Sequence, residues 1–377
     1  MTAQPAPTPP SPHRTLHHRA GRAGALAALA WSAATALLAL LWATGTLTLP
    51  RTSPGQALRT GDLLTLLPPP TSTAAVLALG AAGTALATAL LWGLRTHRNA
   101  PLRTGAAGGW ILAAVLALVL VHGGLLPVLG YLPVLLLAGW AVPGLWAAAA
   151  QTFTAPETFL LAHFLLGALL WTCTALWATR THRQTCTRCG RGPHWSPEHE
   201  HTTRERARRT GRWAVGIAIA SALAYPALRI PWIFGYYPDF TAEQAQQLAS
   251  TEGTTVIGLG LAAACLAGAA LMLGLVQTWG TRLPTWLPRL GARPVPISLA
   301  VVPATVVALA LFGLGRATVM TLLLTSQSQA PLHETAFALM ALWGTALAVA
   351  TCAYALRRRG VCPACGRGLA QGTPAPA

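Results

Sequence analysis

The chain contains no lysine. Its 26 basic residues are all arginine, and only nine Asp and Glu stand against them. Charged residues make up 9% of the 377 positions, where a soluble domain carries about 25%. So little charge cannot dress a water-facing surface, which excludes an ordinary soluble enzyme and a disordered chain alike. Also missing are the phosphate-cradling G-x-x-x-x-G-K loop, the G-x-S-x-G nucleophile turn and the H-E-x-x-H metalloprotease helix. No long apolar run carries a central Asp or Glu, which argues against coupling to a proton or sodium ion.

What is present is apolar: 53% of the residues are hydrophobic. A helix needs about 20 apolar residues to cross the hydrocarbon core. Eight runs qualify, at 23–49, 73–94, 106–126, 157–179, 212–231, 254–280, 295–315 and 335–356. The expected fold is therefore all-α, a polytopic bundle of about eight transmembrane helices. Residues 106–150 are long enough for two crossings, with a break at Gly130, Tyr131 and Pro133. The first run follows a basic stretch (Arg14, His17, His18, Arg19, Arg22) and is about twice the length of a signal-peptide core, so it reads as an uncleaved span. Residues 1–13 and 369–377 read as disordered tails.

Arginine near the ends of spans stays in the cytoplasm. The basic segments are the N-terminus, Arg95 to Arg103, Arg180 to Arg212, Arg282 to Arg293 and Arg357 to Arg367. Only Arg51, Arg59, Arg229 and Arg316 lie elsewhere. If every basic segment is inside, an even number of crossings separates neighbours. Residues 106–150 then cross once, and 132–150 stays at the outer side as an interfacial or re-entrant segment. Both termini are cytoplasmic, in the plasma membrane. The arginines sit in gaps between apolar runs, not on one polar domain. Anionic lipid head groups are therefore the expected partner of the arginine-rich loops, with no nucleic acid. Arginine without lysine, beside abundant Ala, Gly and Pro, is the codon bias of a GC-rich genome such as an actinobacterium.

The chain repeats itself. Arg19-x-Gly21-Arg22 matches Arg209-x-Gly211-Arg212, and Trp42-x-x-Gly45 matches Trp232-x-x-Gly235. Trp92-Gly93-x-Arg95 matches Trp279-Gly280-x-Arg282, and Glu157-Thr158 matches Glu334-Thr335. Cys186-x-x-Cys189-Gly190-Arg191-Gly192 matches Cys362-x-x-Cys365-Gly366-Arg367-Gly368. The matches are collinear and fall at equivalent topological points. They define a first four-span half, 14–192, a cytoplasmic linker, 193–203, and a second half, 204–368. An even number of spans per half makes the copies parallel. Gly83, Gly167, Gly260 and Gly344 are candidates for close helix packing.

The loop from Trp279-Gly280-Thr281-Arg282-Leu283-Pro284-Thr285-Trp286-Leu287-Pro288 to Gly291-Ala292-Arg293-x-Val295-Pro296 resembles one seen in actinobacterial multi-pass membrane proteins of unknown function. The Tyr225, Arg229, Trp232, Gly235 cluster is similar to another element of that group. The resemblance, mainly over 212–316, implies a membrane location and carries over no catalytic residue.

Seven cysteines remain to be placed. Cys173, Cys265 and Cys352 lie within apolar runs and read as small packing residues. The other four form two C-x-x-C pairs on the cytoplasmic side, where structural disulfides are rare. A glycine after each pair permits a tight turn that points two thiolates at one ion, and each pair resembles one knuckle of a zinc ribbon. One arrangement joins both knuckles, so that Cys186, Cys189, Cys362 and Cys365 share a structural zinc, with Arg188, Arg191 and Arg367 favouring the thiolates. A second is local, with Cys186, Cys189, His194 and His199 as ligands. The third is a reducible dithiol without metal.

Arg229 and Arg316 are the charges nearest the spans; both sit near the outer ends, within the reach of an ion pair with Glu157, Glu334 or Asp239. They read as interfacial anchors or as an outer vestibule. Glu157 and Glu334 stand in first helical turns, where a carboxylate suits the helix dipole. His122 and His163 read as hydrogen-bonded core residues, and Asp239 to Glu252 as a short amphipathic outer helix. No catalytic constellation is visible. The expected function is that of a non-enzymatic membrane scaffold or partner-binding subunit. The alternative is a permease for a small neutral or lipophilic solute, and a membrane-embedded enzyme comes last.

Overall fold

The computed structural model describes residues 12–96, 98–129, 135, 144–250, 254–282, 291, 293–325 and 330–370. Nearly all of residues 1–13, assigned to an N-terminal tail, therefore lie outside the described residues. So do most of 132–150, the loop core 283–290, Glu252, and residues 371–377 of the C-terminal tail. Among the described residues the protein is all-α, and its only bridge is an isolated antiparallel pair, Arg282 with Pro294.

Twelve α-helices are described. They are α1 (Pro12–Ala43), α2 (Pro54–Thr60), α3 (Leu63–Leu66), α4 (Pro69–Thr96), α5 (Asn99–Val115), α6 (Leu145–Thr154), α7 (Pro156–His182), α8 (Pro197–Arg229), α9 (Ala242–Ser250), α10 (Thr254–Leu273), α11 (Ile297–Thr325) and α12 (Pro331–Arg358). α5 runs on as a π-helical turn, Leu116–Leu120, and α8 as a 3₁₀ turn, Ile230–Phe234. Seven helices are long and apolar enough to cross a membrane, and α10 is an apolar helix of 20 residues beside them.

Two apolar cores organise the bundle. One gathers α1, α4, α5 and α7 around Trp31, Leu90, Leu116, Phe164 and Trp171. The other gathers α8, α10, α11 and α12 around Tyr225, Met272, Leu311 and Trp343. A smaller cluster of Val121, Leu125, Leu161 and Ala310 lies between them. Alanine and glycine let these helices approach closely. A Cβ on Gly83 would meet the Ser32 hydroxyl, one on Gly167 would meet the Trp31 ring, and one on Gly344 would stand 2.5 Å from the Ala308 carbonyl oxygen. Gly260 has nothing within 4 Å, so it is not a packing glycine.

Several boundaries differ from those drawn on hydropathy. The run 254–280 is helical only to Leu273. There Gly274 and Gly280 come into backbone contact, the Trp279 ring covers Gly274, and the chain turns back. The run 295–315 continues as helix to Thr325, because nothing in 317–325 breaks a helix and Arg316 finds carbonyl partners. The segment 193–203 holds the start of α8: Ser196 caps it by accepting from the His199 amide (3.2 Å), and Pro197 and Glu198 open its first turn. Much of the arginine-rich segment 180–212 is therefore helical.

Candidate metal centre

Each C-x-x-C pair follows a long helix, α7 for Cys186 and Cys189, α12 for Cys362 and Cys365. The two turns are built alike. The Cys186 amide donates to the Arg191 carbonyl (3.0 Å) and the Gly190 amide to the Cys186 carbonyl (2.7 Å). The Cys362 amide donates to the Arg367 carbonyl (2.9 Å) and the Gly366 amide to the Cys362 carbonyl (2.8 Å). The turns need a left-handed residue in the same place, and glycine supplies it: φ is +76° at Gly190 and +69° at Gly366.

These turns aim four free thiols at one point. All four Sγ atoms lie within 4.8 Å of one another, with Cys186 to Cys362 at 4.0 Å and Cys189 to Cys365 at 3.6 Å. Such a group can hold a metal ion. Burial raises the Cys186 thiol, but amide hydrogen bonds from Cys189 and Arg188 outweigh it and bring the group down to about 7. Burial and the neighbouring thiols push Cys365 up to about 12. Four thiolates at this spacing would repel one another, and a divalent cation at the centre would remove that repulsion.

Around the thiols lies a second layer that holds the two turns together. Arg191 reaches across, its Nη1 donating to the carbonyls of Gly360 and Arg367, both at 3.0 Å. Arg367 reaches back, its Nη1 donating to Gly192 (2.7 Å) and Arg191 (3.3 Å). On its other edge Arg191 forms a bidentate pair with Glu200 of α8, at 2.9 and 2.7 Å. Glu200 is 2% exposed and also accepts from the Trp195 indole (3.1 Å), with Arg359 at 3.7 Å and Arg204 at 3.9 Å. Burial raises its carboxyl, but these hydrogen bonds and charges overcome it and hold the group at about 2. Arg204 donates in turn to the carbonyls of Arg359, Leu369 and Ala370, which ties down residues 369–370 of the C-terminal tail.

The structure thus brings together the four cysteines named from the sequence. His194 and His199 line a neighbouring surface cavity with Trp195 and Arg359, outside the four-thiol group. Glu200, Arg204 and Arg359 were not singled out in the sequence. The available signal was three acids, Glu198, Glu200 and Glu205, in a segment whose other charges are all basic. Of the remaining cysteines, Cys265 is buried while Cys173 and Cys352 are exposed on their helices.

The two arginines proposed for an outer vestibule have separate partners. Arg229 lies over the Trp232 ring (3.9 Å) and near that of Tyr225 (5.1 Å). Arg316 donates to the carbonyls of Gly61 (2.9 Å) and Val119 (3.2 Å). Among the described residues neither forms an ion pair with Glu157, Glu334 or Asp239. Glu157 and Glu334 stand in the first turns of α7 and α12. Asp239 caps α12, accepting from the amides of Leu332 (2.6 Å) and His333 (3.2 Å). His163 bonds Thr35 (2.9 Å) and stacks on Trp31, and the His122 Nδ1 accepts from the Gly124 amide (3.2 Å).

No family model, curated protein or solved structure matches the chain.

Proposed function

We propose that this chain is a non-enzymatic integral membrane protein, a scaffold or partner-binding subunit, whose two four-helix halves are joined on the cytoplasmic face by one structural zinc. The observation that carries this reading is the convergence of Cys186, Cys189, Cys362 and Cys365 from two like-built turns. Tetrahedral zinc at about 2.3 Å from sulfur places its ligands about 3.8 Å apart, and two of the thiol pairs lie at 4.0 and 3.6 Å. A Zn(Cys)₄ unit carries a net charge of about −2, which Arg188, Arg191 and Arg367 offset. Zinc has no redox chemistry, and four protein ligands leave it no open position, which suits a clamp rather than a catalyst.

Eight crossings follow if α10 joins the seven longer helices. Its 20 residues reach about 30 Å, the thickness of the hydrocarbon core. Duplication is supported by the matching hydrogen bonds of the two turns and by the two separate apolar cores. Arginine placement supports a cytoplasmic location of the thiol turns and of both termini, at the plasma membrane.

Metal analysis of the purified full chain tests the reading. One zinc per chain is expected, lost in Cys362→Ser and kept in His194→Ala. Metal-free protein with four freely labelled thiols refutes it, and iron in place of zinc replaces the ion but not the clamp. A reporter fused after residue 150 should lie outside the cell and one at the C-terminus inside.

A second reading is a permease for a small neutral or lipophilic solute. It is favoured by Arg316, which meets backbone of the first half beside the π-helical turn and lies within Coulombic reach of Asp62 and His122. Solute flux in proteoliposomes, lost in Arg316→Ala while zinc is retained, would support it.

A further inference from the structure

We propose that the apolar cleft between α10 and α11 binds an acyl chain of an anionic phospholipid from the leaflet on the arginine-rich side. The inference rests on the membrane topology proposed above. α10 packs on α8, and α11 packs on α12. Between α10 and α11 a cavity of about 480 Å³ remains, walled by Leu271 and Met272 on one side and Leu299 and Val307 on the other, with Trp343 and Leu347 of α12 as its floor. Leu271 and Leu299 are 69% and 62% exposed, so the cleft opens sideways to the surface that faces lipid. Leu299 to Val307 spans about 12 Å of helix, close to the depth of one leaflet's hydrocarbon, about 15 Å. The turn at Gly274 and Gly280 keeps the cleft open, because α10 stops short and Trp279 caps its end.

Charge is arranged at that same end. Arg357 donates to the carbonyls of Leu275 (2.7 Å) and Val276 (3.3 Å), and Arg358 to that of Val295 (3.0 Å), so both guanidinium groups lie at the rim. Arg357 feels the charges of Arg208, Arg212 and Arg358. Arg208, Arg212 and Arg282 are exposed, and among the described residues none of them, nor Arg357, is in an ion pair. A cationic rim over an apolar slot one leaflet deep fits a lipid with a negative head group and an aliphatic tail. A zwitterionic lipid supplies the same tail without net charge to meet the rim, and a soluble anion supplies no tail for the slot.

The test uses the zinc-loaded full chain in phosphatidylcholine nanodiscs, titrated with phosphatidylglycerol carrying brominated chains, which quench nearby tryptophan. Expected is quenching at a mole fraction at least fivefold lower than brominated phosphatidylcholine requires, with its largest share lost in Trp343→Phe. The double variant Arg208→Ala, Arg212→Ala should abolish the preference, and Gly268→Leu with Ala304→Leu should fill the cleft and abolish quenching there. Equal quenching by the two lipids in the wild type overturns the proposal, as does full quenching in the filled variant. Zinc content and thermal unfolding show whether each variant is folded. If the filled variant is not, the wild-type comparison and Trp343→Phe decide. A zinc-loaded, membrane-embedded protein without lipid preference sinks this inference alone, whereas a chain that stays soluble without detergent sinks the membrane reading beneath it.

Discussion

Arg191 and Arg367 each donate a hydrogen bond to the other's backbone carbonyl, at 3.0 and 3.3 Å, across 176 residues of sequence. The exchange is reciprocal because each arginine ends a C-x-x-C-G-R turn of the same construction. It also makes the two turns one unit before any ion is considered.

That unit depends on Glu200. Its carboxylate and the Arg191 guanidinium are 2% and 3% exposed, and removing one partner of such a pair costs about 3–5 kcal/mol because the other is left charged and unsatisfied. Glu200→Gln should therefore lower the thermal unfolding temperature of the zinc-loaded protein and release zinc faster to a chelator. Arg191→Lys should do nearly as much, since an ammonium cannot hold Glu200 and two carbonyls at once. Wild-type behaviour in both variants would show that the pair contributes nothing to the clamp.

Acid should erase the difference between wild type and Glu200→Gln. The folded-state value for Glu200, about 2, lies below the value of about 4.3 for an unfolded glutamate. As pH falls the unfolded chain binds that proton first. The contribution, on the order of 3 kcal/mol, is complete above about pH 5 and disappears towards pH 2. Thiol protonation ejects metal over the same range in both proteins, so the comparison between them is the measure. A gap in unfolding temperature that is as wide at pH 3 as at pH 7 would contradict this account.

Gly366 separates conformation from space. A Cβ there meets nothing within 4 Å, yet φ is +69°. Gly366→Ala should weaken zinc binding only through the left-handed strain, about 1–2 kcal/mol, or roughly 5- to 30-fold in a chelator competition. Gly366→Asn, which tolerates that conformation, should fall between alanine and wild type. An alanine variant with unchanged affinity would mean the turn can relax.

Two other glycines make a matched pair inside the helices. Gly344→Ala drives a methyl against the Ala308 carbonyl and the Phe312 amide and should cost about 1–3 kcal/mol. Gly260→Ala enters open space in α10 and should be neutral or slightly stabilising. Thermal unfolding of the two variants, side by side, measures the contrast.

What the sequence disclosed and what it hid have different physical origins. The thiol group was legible because a C-x-x-C-G turn is a local device and its duplication marks the partner. Apolar helices were legible because hydropathy sums over many residues. Glu200 was hidden because its burial depends on Arg191, Trp195 and Arg359 folding over it, which no local pattern records. The end of α10 was hidden because hydropathy cannot see Trp279 folding onto Gly274. Arg316 was placed at a span's outer end because a charge interrupts an apolar run. The carbonyls of Gly61 and Val119 that let it sit within α11 are distant in sequence.

Because one thiol pair follows α7 and the other follows α12, the four-thiol group is assembled from positions 176 residues apart. During synthesis Cys186 and Cys189 are exposed long before Cys362 and Cys365 exist, and two thiols alone hold an ion poorly. Capture of an ion by all four thiols would wait until α12 has been made and its trailing turn has come round to meet the first. An ion bound there would act as the last stitch, and a chain truncated before Cys362 would keep only two of the four thiols.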